Sequence, residues 1–438
     1  MMKNGELNKQ FYNYLWAYIL VALSGCLGNV VDGIIVGNLI SEDGVSAINL
    51  SKPINQLIFT LHLLINAGAG MLVAYTLGRN DIQEARRFFT RALTLSVGLG
   101  ILLAVVGGVV FSGETARLLC SNDQILPLAR DYMRILLLGN PVFILMWGLS
   151  TMVGVDGQPK LVSLAVIIDN AANLFLDIVF IQWMGWGIAG SSAATVVGHL
   201  IGIAILLTHW RKPSPLKLQL TMVNYQLSVN QIVKQGAPLA IASISLTLLL
   251  LSANTIVLGT LGRTGIFAFA VCMNLLQVYN LFLSGTCQTL QSLGAIQVGK
   301  GNVEGVQMVI RKAFRFITVA MIVTCSFVWF WPTGIVRLFG ATDEAFVSEG
   351  IHALRIFALS FMPFCYIYVL MIVYKLYHHH RMALFISFAL SLTVIPMLWI
   401  MARMAPQMLW YSYLIAYLVE AVLIYTLHRA MKVRFNLS

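Results

Sequence analysis

Of the 438 residues, 59% are apolar and only 10% are charged, whereas soluble globular proteins carry about 25% charged residues. This balance and the mean hydropathy of +0.83 exclude a typical soluble domain and predict a protein that spans a membrane. The net charge of +11 would suit a nucleic-acid surface, but the basic residues cluster between the apolar stretches, where membrane topology explains them.

Twelve stretches are apolar enough to cross a bilayer as helices, which takes about 20 residues each. They lie at roughly 13–38, 53–77, 90–112, 129–153, 160–182, 187–209, 234–258, 266–297, 313–336, 352–374, 382–402 and 409–428. The first is too long for the core of a cleavable signal peptide. We therefore predict an all-α polytopic membrane protein with 12 transmembrane helices.

The chain also repeats itself at an offset of 222 residues, give or take one. Asp32–Leu39 resembles Asn254–Leu261, Leu77–Asn80 resembles Val298–Gly301, and Pro141–Phe143 resembles Pro363–Cys365. Two similar halves are typical of transporters whose site lies between the halves. We predict two pseudo-symmetric six-helix bundles, an N-terminal lobe at 1–210 and a C-terminal lobe at 234–438, with a flexible cytoplasmic linker at 211–233.

The distribution of Lys and Arg predicts the orientation. If the N-terminus is cytoplasmic, twenty of the 28 basic residues fall on inner loops and tails. Cytoplasmic loops are rich in Lys and Arg, and an even number of helices returns the chain to its starting side. We expect the protein to lie in the plasma (inner) membrane, with both termini in the cytoplasm.

Four acidic residues lie well inside predicted spans, away from the span ends: Asp32, Asp169, Asp177 and Glu420. A carboxylate at mid-bilayer costs about 2.5–3.5 kcal/mol on insertion scales, so such residues usually face protein or water and often serve ion transport. Asp169, Asn173 and Asp177 are four residues apart and share one face of the fifth helix. Glu420 has no polar partner at helical spacing, which favours a structural or interfacial role.

Asp32 on the first helix and Asp177 on the fifth are predicted at similar depth, with Thr195 of the sixth helix close enough to join them. We predict that Asp32, Asn173, Asp177 and Thr195 couple transport to a cation, with Asp169 as an accessory residue. The alternative is that these polar groups satisfy one another and only hold helices together.

Large amides recur at equivalent positions of the second and eighth helices. Asn55 corresponds to Gln277, and Asn66 corresponds to Gln288. A substrate cavity is predicted along this surface, with lining residues Asn55, Asn66, Gln277, Tyr279, Asn280 and Gln288. Ordinary interhelical hydrogen bonding and packing are the alternatives.

Motifs for cofactor or enzyme chemistry do not emerge from the sequence. His378–His380 lie in a short basic inner loop, and Gly78–Asp81 lacks the Gly-Lys-Ser/Thr of a phosphate-binding loop. Neither paired cysteines nor a catalytic triad appears. We expect no metal, no ATP, no cofactor beyond a coupling ion, no nucleic-acid partner and no enzyme activity.

The chain resembles the MATE (multidrug and toxic compound extrusion) family. The resemblance rests on Asp32-x4-Gly37, on Asn173-x3-Asp177-x2-Phe180-Ile181, on Trp186–Thr195 at the entry to the sixth helix, and on the twelve-helix repeat. It implies two lobes that alternate between inward and outward states. It also implies a secondary active multidrug efflux antiporter that exports amphipathic, often cationic compounds in exchange for protons or sodium.

In the branch similar to DinF proteins, ion coupling is placed in the N-terminal lobe. Helices 7 to 11 here carry no internal acid, which favours that branch and coupling to protons over sodium. Members of this branch can bend helix 1 at a proline, whereas helix 1 here offers only Gly25 and Gly28 as weak points. A flippase for lipid-linked precursors or polysaccharides is the alternative, and the scarcity of basic residues within the spans counts against it. We expect small-molecule substrates, a lipid-bilayer environment and a monomer.

Overall fold

The computed structural model describes residues 4–40, 42–110, 113–114, 125–218, 225–339 and 343–430. All regular secondary structure within these ranges is helical, which confirms the predicted all-α class. The chain divides into two compact units, unit 1 (Met1–Ala237) and unit 2 (Pro238–Ser438). The lobe and linker boundaries at 210/211 and 233/234 stay predictions.

The helices of unit 1 are α1 (Asn4–Leu39), α2 (Glu42–His62), α3 (Gly68–Gly78), α4 (Ile82–Leu103), α5 (Leu126–Leu138), α6 (Asn140–Val155), α7 (Pro159–Ile178) and α8 (Gly187–Leu207). α9 (Tyr225–Thr289) begins in unit 1 and continues into unit 2. Unit 2 further contains α10 (Ala295–Gly299), α11 (Val303–Phe330), α12 (Pro332–Leu338), α13 (Glu344–Leu376), α14 (His380–Leu392), α15 (Val394–Met404) and α16 (Tyr411–Ala430).

Four of these helices continue into single π-helical turns. The turns are Leu63–Ala67 after α2, Ala104–Val110 after α4, Val179–Trp183 after α7 and Leu290–Gly294 after α9. Such turns occur often at functional sites. The one after α7 directly follows the polar face of that helix.

Among the described residues, ten helices are long and apolar enough to cross a membrane, and the pair α5 and α6, bent by 51°, forms an eleventh span. One of the ten, Val229–Gly299, has 71 residues. A straight helix of that length would measure about 100 Å, three times the hydrocarbon thickness. Its backbone leaves helical geometry at Gly262, so we count it as two spans, which makes the predicted twelve.

The structure refines two details of the predicted spans. The stretch predicted as one helix at 129–153 is the bent pair α5 and α6, because Pro141 at the start of α6 cannot donate a backbone hydrogen bond to the preceding turn. The stretches predicted from 90 and from 313 begin earlier, at Ile82 and Val303. Their first turns are amphipathic, and a count of apolar residues alone misses them.

The internal repeat extends to the backbone of its turns. Asn80 and Gly301, 221 residues apart, both have positive φ, at 60° and 65°. Each donates to the carbonyl three residues back, and the next residue donates to the carbonyl five residues back, which is the Schellman ending of a helix. Asp81 and Asn302 then cap the following helix by accepting a bond from the amide three residues later, at 3.0 Å in both halves.

A second turn recurs at the same spacing. Gly157 and His378, again 221 residues apart, have φ of 89° and 59°. The same two backbone bonds close each turn, with lengths between 2.9 and 3.2 Å. The His378–His380 segment is thus a helix connection that matches the turn at Gly157.

Helix α1 is continuous from Asn4 to Leu39. It runs through Gly25 and Gly28 without a break, as expected for a helix without proline. The glycine at 28 instead serves close packing: a Cβ there would lie 3.0 Å from the side-chain oxygen of Asn170 on α7.

The first residues of the predicted linker are anchored to unit 1. Asp156 is bonded to His209 at 2.7 Å and accepts a bond from the Ser214 hydroxyl at 2.5 Å. Arg86 donates to the carbonyl of Pro215 at 2.7 Å. This part is held rather than flexible, and residues 219–224 of the linker lie outside the described ranges.

Gly262 generates a stability prediction. Its φ of 62° and ψ of −145° lie in a region that only glycine occupies readily, and forcing another residue into it costs about 1–3 kcal/mol. An added Cβ would meet no atom within 4 Å, so the cost is confined to the backbone. Gly262→Ala should therefore lower the apparent melting temperature of the purified protein in detergent.

Gly259→Ala is the matched control, because Gly259 lies in the same helix and an added Cβ there also meets no atom within 4 Å. Its backbone is helical, where alanine is favoured over glycine by about 1 kcal/mol. We expect an unchanged or higher melting temperature. Equal destabilisation by both substitutions would contradict the assigned backbone geometry.

Candidate functional site

Helices α7 and α8 of unit 1 form an antiparallel pair with a ladder of polar contacts between them. A short connection joins them, with positive φ at Gly185 and Gly187. Because the helices are antiparallel, positions 177, 173 and 169 of α7 lie level with positions 191, 195 and 199 of α8. The ladder therefore has three rungs, one per helical turn, about 6 Å apart.

The rung nearest the connection between α7 and α8, the outer rung, contains the two carboxyls of the predicted coupling group. The Ser191 hydroxyl on α8 donates to Oδ1 of Asp32 on α1 at 3.4 Å. The charges of Asp32 and Asp177 act directly on one another, and Tyr132 of α5 lies within electrostatic reach of both. Asp177 is fully buried. Asp32 and Ser191 lie within reach of its carboxylate, but neither of its oxygens makes a hydrogen bond of standard geometry to the described residues.

The middle rung joins Asn173 and Thr195. The Asn173 amide donates to the Thr195 hydroxyl at 3.2 Å. That hydroxyl donates in turn to the backbone carbonyl of Ser191 at 3.1 Å. The structure thus brings Asp32, Asn173, Asp177 and Thr195 together, as the sequence predicted; their role in ion coupling stays a prediction.

The rung farthest from the connection between α7 and α8, the inner rung, is a hydrogen-bonded pair of which the sequence predicted only one member. Oδ1 of Asp169 lies 2.9 Å from Nδ1 of His199. Asp169 was predicted as an accessory residue, whereas His199 was not considered. The signal was present, because His199 follows Thr195 by four residues and so continues the same face of α8.

Packing explains why these helices approach so closely. On α8, a Cβ at Gly198 would lie 2.9 Å from the Asp169 carboxylate and 3.2 Å from Cβ of Asn173. On the other side of α7, Asn170 donates to the Ser24 hydroxyl of α1 at 2.9 Å. Asp32 lies two turns beyond Ser24, which brings it level with Asp177 on the neighbouring helix.

Aromatic rings enclose the inner rung. The Phe143 ring of α6 meets the His199 ring edge-on at 4.7 Å between centroids, and Trp147 lies 6.4 Å away. Across Trp147, at 5.1 Å, lies the ring of His62 on α2. His62 is hydrogen-bonded to Asn66 at 3.1 Å.

The predicted cavity residues differ in their surroundings. Asn66 is fully buried and accepts a bond from Ser96 at 3.0 Å, which fits the hydrogen-bonding alternative. Tyr279 is fully buried against Phe361, at 4.4 Å between rings, which fits a packing role.

The other amides are more accessible. Gln277 is exposed, and Asn55, Asn280 and Gln288 are half-buried. Gln288 donates to Ser284 of its own helix at 2.9 Å. The substrate cavity stays a prediction.

Two further expectations concern buried acids and metal ligands. Glu420 is fully buried in unit 2, and neither of its oxygens has a hydrogen-bond partner within the described ranges; its structural role stays a prediction. The same ranges hold no group of three or more His, Cys, Asp or Glu side chains arranged to bind a metal ion.

The close approach at Gly198 generates a local prediction. Gly198→Ala should push α7 away from α8, because overpacking a tight contact costs about 1–3 kcal/mol. Local opening should then speed amide hydrogen exchange in both helices by about tenfold, as measured by mass spectrometry of the purified protein.

Gly98→Ala is the control, since Gly98 is exposed and a Cβ there meets nothing within 4 Å. Amide hydrogen exchange in α7 and α8 of the Gly98→Ala variant should match that of the unsubstituted protein. Unaltered exchange in Gly198→Ala would show that the added methyl group does not force the two helices apart. That result would contradict the close packing assigned to α7 and α8.

Comparisons with known proteins agree with this architecture. A family model, MatE, matches residues 18–179 and 238–426, one segment in each unit. The multidrug export protein MepA of Staphylococcus aureus is 24% identical over 354 residues, which cover 79% of this chain and 77% of MepA.

Solved structures share the fold. A MOP superfamily transporter from Pyrococcus furiosus aligns with a TM-score of 0.87 at 18% identity, covering 97% of this chain and 96% of the other. A Vibrio cholerae MATE transporter, VcmN, aligns with a TM-score of 0.87 at 16% identity, covering 97% and 98%. Because the family model covers most of the sequence, the chain belongs to the MATE family and is a multi-pass membrane transporter, not an enzyme.

Proposed function

We propose that this transporter is a secondary active multidrug antiporter, which exports amphipathic, often cationic compounds in exchange for protons. The similarity to MepA, a multidrug export protein, supports the substrate class. The observation that carries the ion coupling is the contact between the carboxyls of Asp32 and Asp177 inside unit 1.

Two adjacent carboxylates repel one another, and a low-dielectric surrounding strengthens the repulsion. The ion pairs found among the described residues include neither Asp32 nor Asp177. A bound cation relieves the repulsion. A proton needs only one carboxylate oxygen, and the lack of acidic residues inside the predicted helices 7 to 11 supports protons over sodium as the coupling ion.

Proton uptake from outside would neutralise one carboxyl and change the hydrogen bond between Asp32 and Ser191. Because α1 is tied to α7 by the bond between Ser24 and Asn170, a shift at Asp32 moves α1 against that contact. Substrate release follows only if the protonated state binds substrate more weakly than the unprotonated state. The antiport cycle therefore consists of proton loading, substrate release, return to the inward state and proton release inside.

The remaining properties follow from the sequence. The excess of Lys and Arg on one side supports cytoplasmic termini and insertion in the plasma membrane. Coupling in unit 1 alone supports the DinF-like branch. We assign the active form to a monomer, because each chain carries both units.

Asp32→Asn and Asp177→Asn test the proposal. Each removes one titrating carboxyl with little change in shape, so efflux of a fluorescent cation from proteoliposomes should fall at least tenfold while the protein stays folded. An imposed pH gradient should drive efflux in the unsubstituted protein, and a sodium gradient alone should not.

Asp131→Asn is the control, because Asp131 is an exposed acid on α5. This variant should export the fluorescent cation at the same rate as the unsubstituted protein. Full pH-driven efflux in both site variants would refute coupling by these carboxyls. Efflux driven by sodium at constant pH would replace the proton with sodium as the coupling ion.

A further inference from the structure

We propose that the Asp169–His199 pair is a second proton-binding site of unit 1, which gives up its proton when a cationic substrate binds. The proposal rests on the proton antiport proposed above. It adds a separate site on a different rung of the ladder. It also adds a histidine, His199, whereas the predicted coupling group contains no histidine.

The pair belongs to the same continuous structure as the outer carboxyls. Asp169 lies eight residues, or about 12 Å along the helix, from Asp177 on α7. The Asn173–Thr195 bond fills the turn between them. The pair is also well enclosed, since the side chains of His199 and Asp169 are 14% and 5% exposed.

A purely structural role explains the pair poorly. The desolvation of two charges offsets most of their attraction, and apolar residues of similar size usually hold helices together at least as well. Gly198 already gives the helices their close contact. Histidine, in contrast, is the side chain that ordinarily gains and loses a proton between about pH 5 and 8.

The groups that face the pair leave His199 as the proton acceptor. On α6 its neighbours are the rings of Phe143 and Trp147, which carry no titratable proton in this range. On α2, His62 lies across Trp147 and is bonded to Asn66. In the outer direction lie Asp32, Asp177 and the Tyr132 hydroxyl of α5.

The proton balance is simple. We assign the hydrogen on Nδ1 of His199 to the bond with Asp169, so the imidazole binds the transported proton at Nε2. The loaded pair is an imidazolium beside a carboxylate. When a cationic substrate enters, repulsion between the two positive charges favours loss of the Nε2 proton to solvent, and the neutral imidazole keeps its bond to Asp169.

Counting protons tests the site directly. The purified full-length protein, in weakly buffered detergent solution with a pH indicator, is titrated with ethidium between about pH 6 and 8. By linkage, the unsubstituted protein should release about two protons per bound ethidium, one from each site. The single variants His199→Gln and Asp177→Asn should each release about one proton per bound ethidium. The double variant should release about none.

Asp169→Asn provides a second test should His199→Gln fold poorly. It keeps the imidazole and removes the carboxylate that stabilises its positive charge, so proton release should fall by the same amount. Ser163→Ala is the control: Ser163 is buried on α7 and bonds only to the carbonyl of Lys160 among the contacts described, so its proton count should match that of the unsubstituted protein.

The outcomes separate this inference from the proposed function. If His199→Gln and Asp169→Asn release as many protons as the unsubstituted protein while Asp177→Asn releases fewer, the pair is structural and only this inference is overturned. A lower melting temperature with an unchanged proton count has the same meaning. If ethidium binding releases no protons from the unsubstituted protein, proton antiport itself is overturned.

Discussion

Negative charge in a membrane interior is the constraint on which the arrangement of unit 1 depends. A carboxylate there must find hydrogen bonds, a counter-charge or a proton, since hydrocarbon offers none of these. Asp169 is hydrogen-bonded to His199 at 2.9 Å and Asp32 has a hydroxyl donor in Ser191, whereas neither oxygen of Asp177 makes a hydrogen bond of standard geometry to the described residues. The bonded groups hold α1, α7 and α8 together, and Asp177 is the carboxyl that we propose for proton binding.

The two units share a backbone plan, but their polar contents differ. The Schellman turns at Asn80 and Gly301 match in φ, in backbone bonds and in the cap that follows. The acidic ladder belongs to unit 1, whereas the buried acid described for unit 2 is Glu420 on α16. The repeated backbone therefore provides a common scaffold, and side chains on α7 and α8 give one copy its proposed ion site.

The sequence predicted the fold class and the number of spans because hydropathy is a local property. It also predicted that Asp32 and Asp177 lie at similar depth, since they occupy corresponding points of two helices that run in the same direction. It missed His199, since a search for acids alone overlooks a base that is brought to Asp169 by an antiparallel neighbour. The anchoring of the linker at Asp156 was missed for a related reason: its partners His209 and Ser214 are more than fifty residues away. Burial of Tyr279 depends on tertiary packing, which periodicity does not reveal.

Infrared difference spectroscopy tests most directly the claim that the Asp32–Asp177 contact binds the coupling proton. Spectra of the purified protein in lipid, recorded as the difference between acidic and neutral pH, report the carbonyl stretch of protonated carboxyl groups. The account predicts a band of this kind that disappears both in Asp177→Asn and when a cationic substrate is added to the unsubstituted protein. An identical band in the unsubstituted protein, the variant and the substrate complex would contradict it.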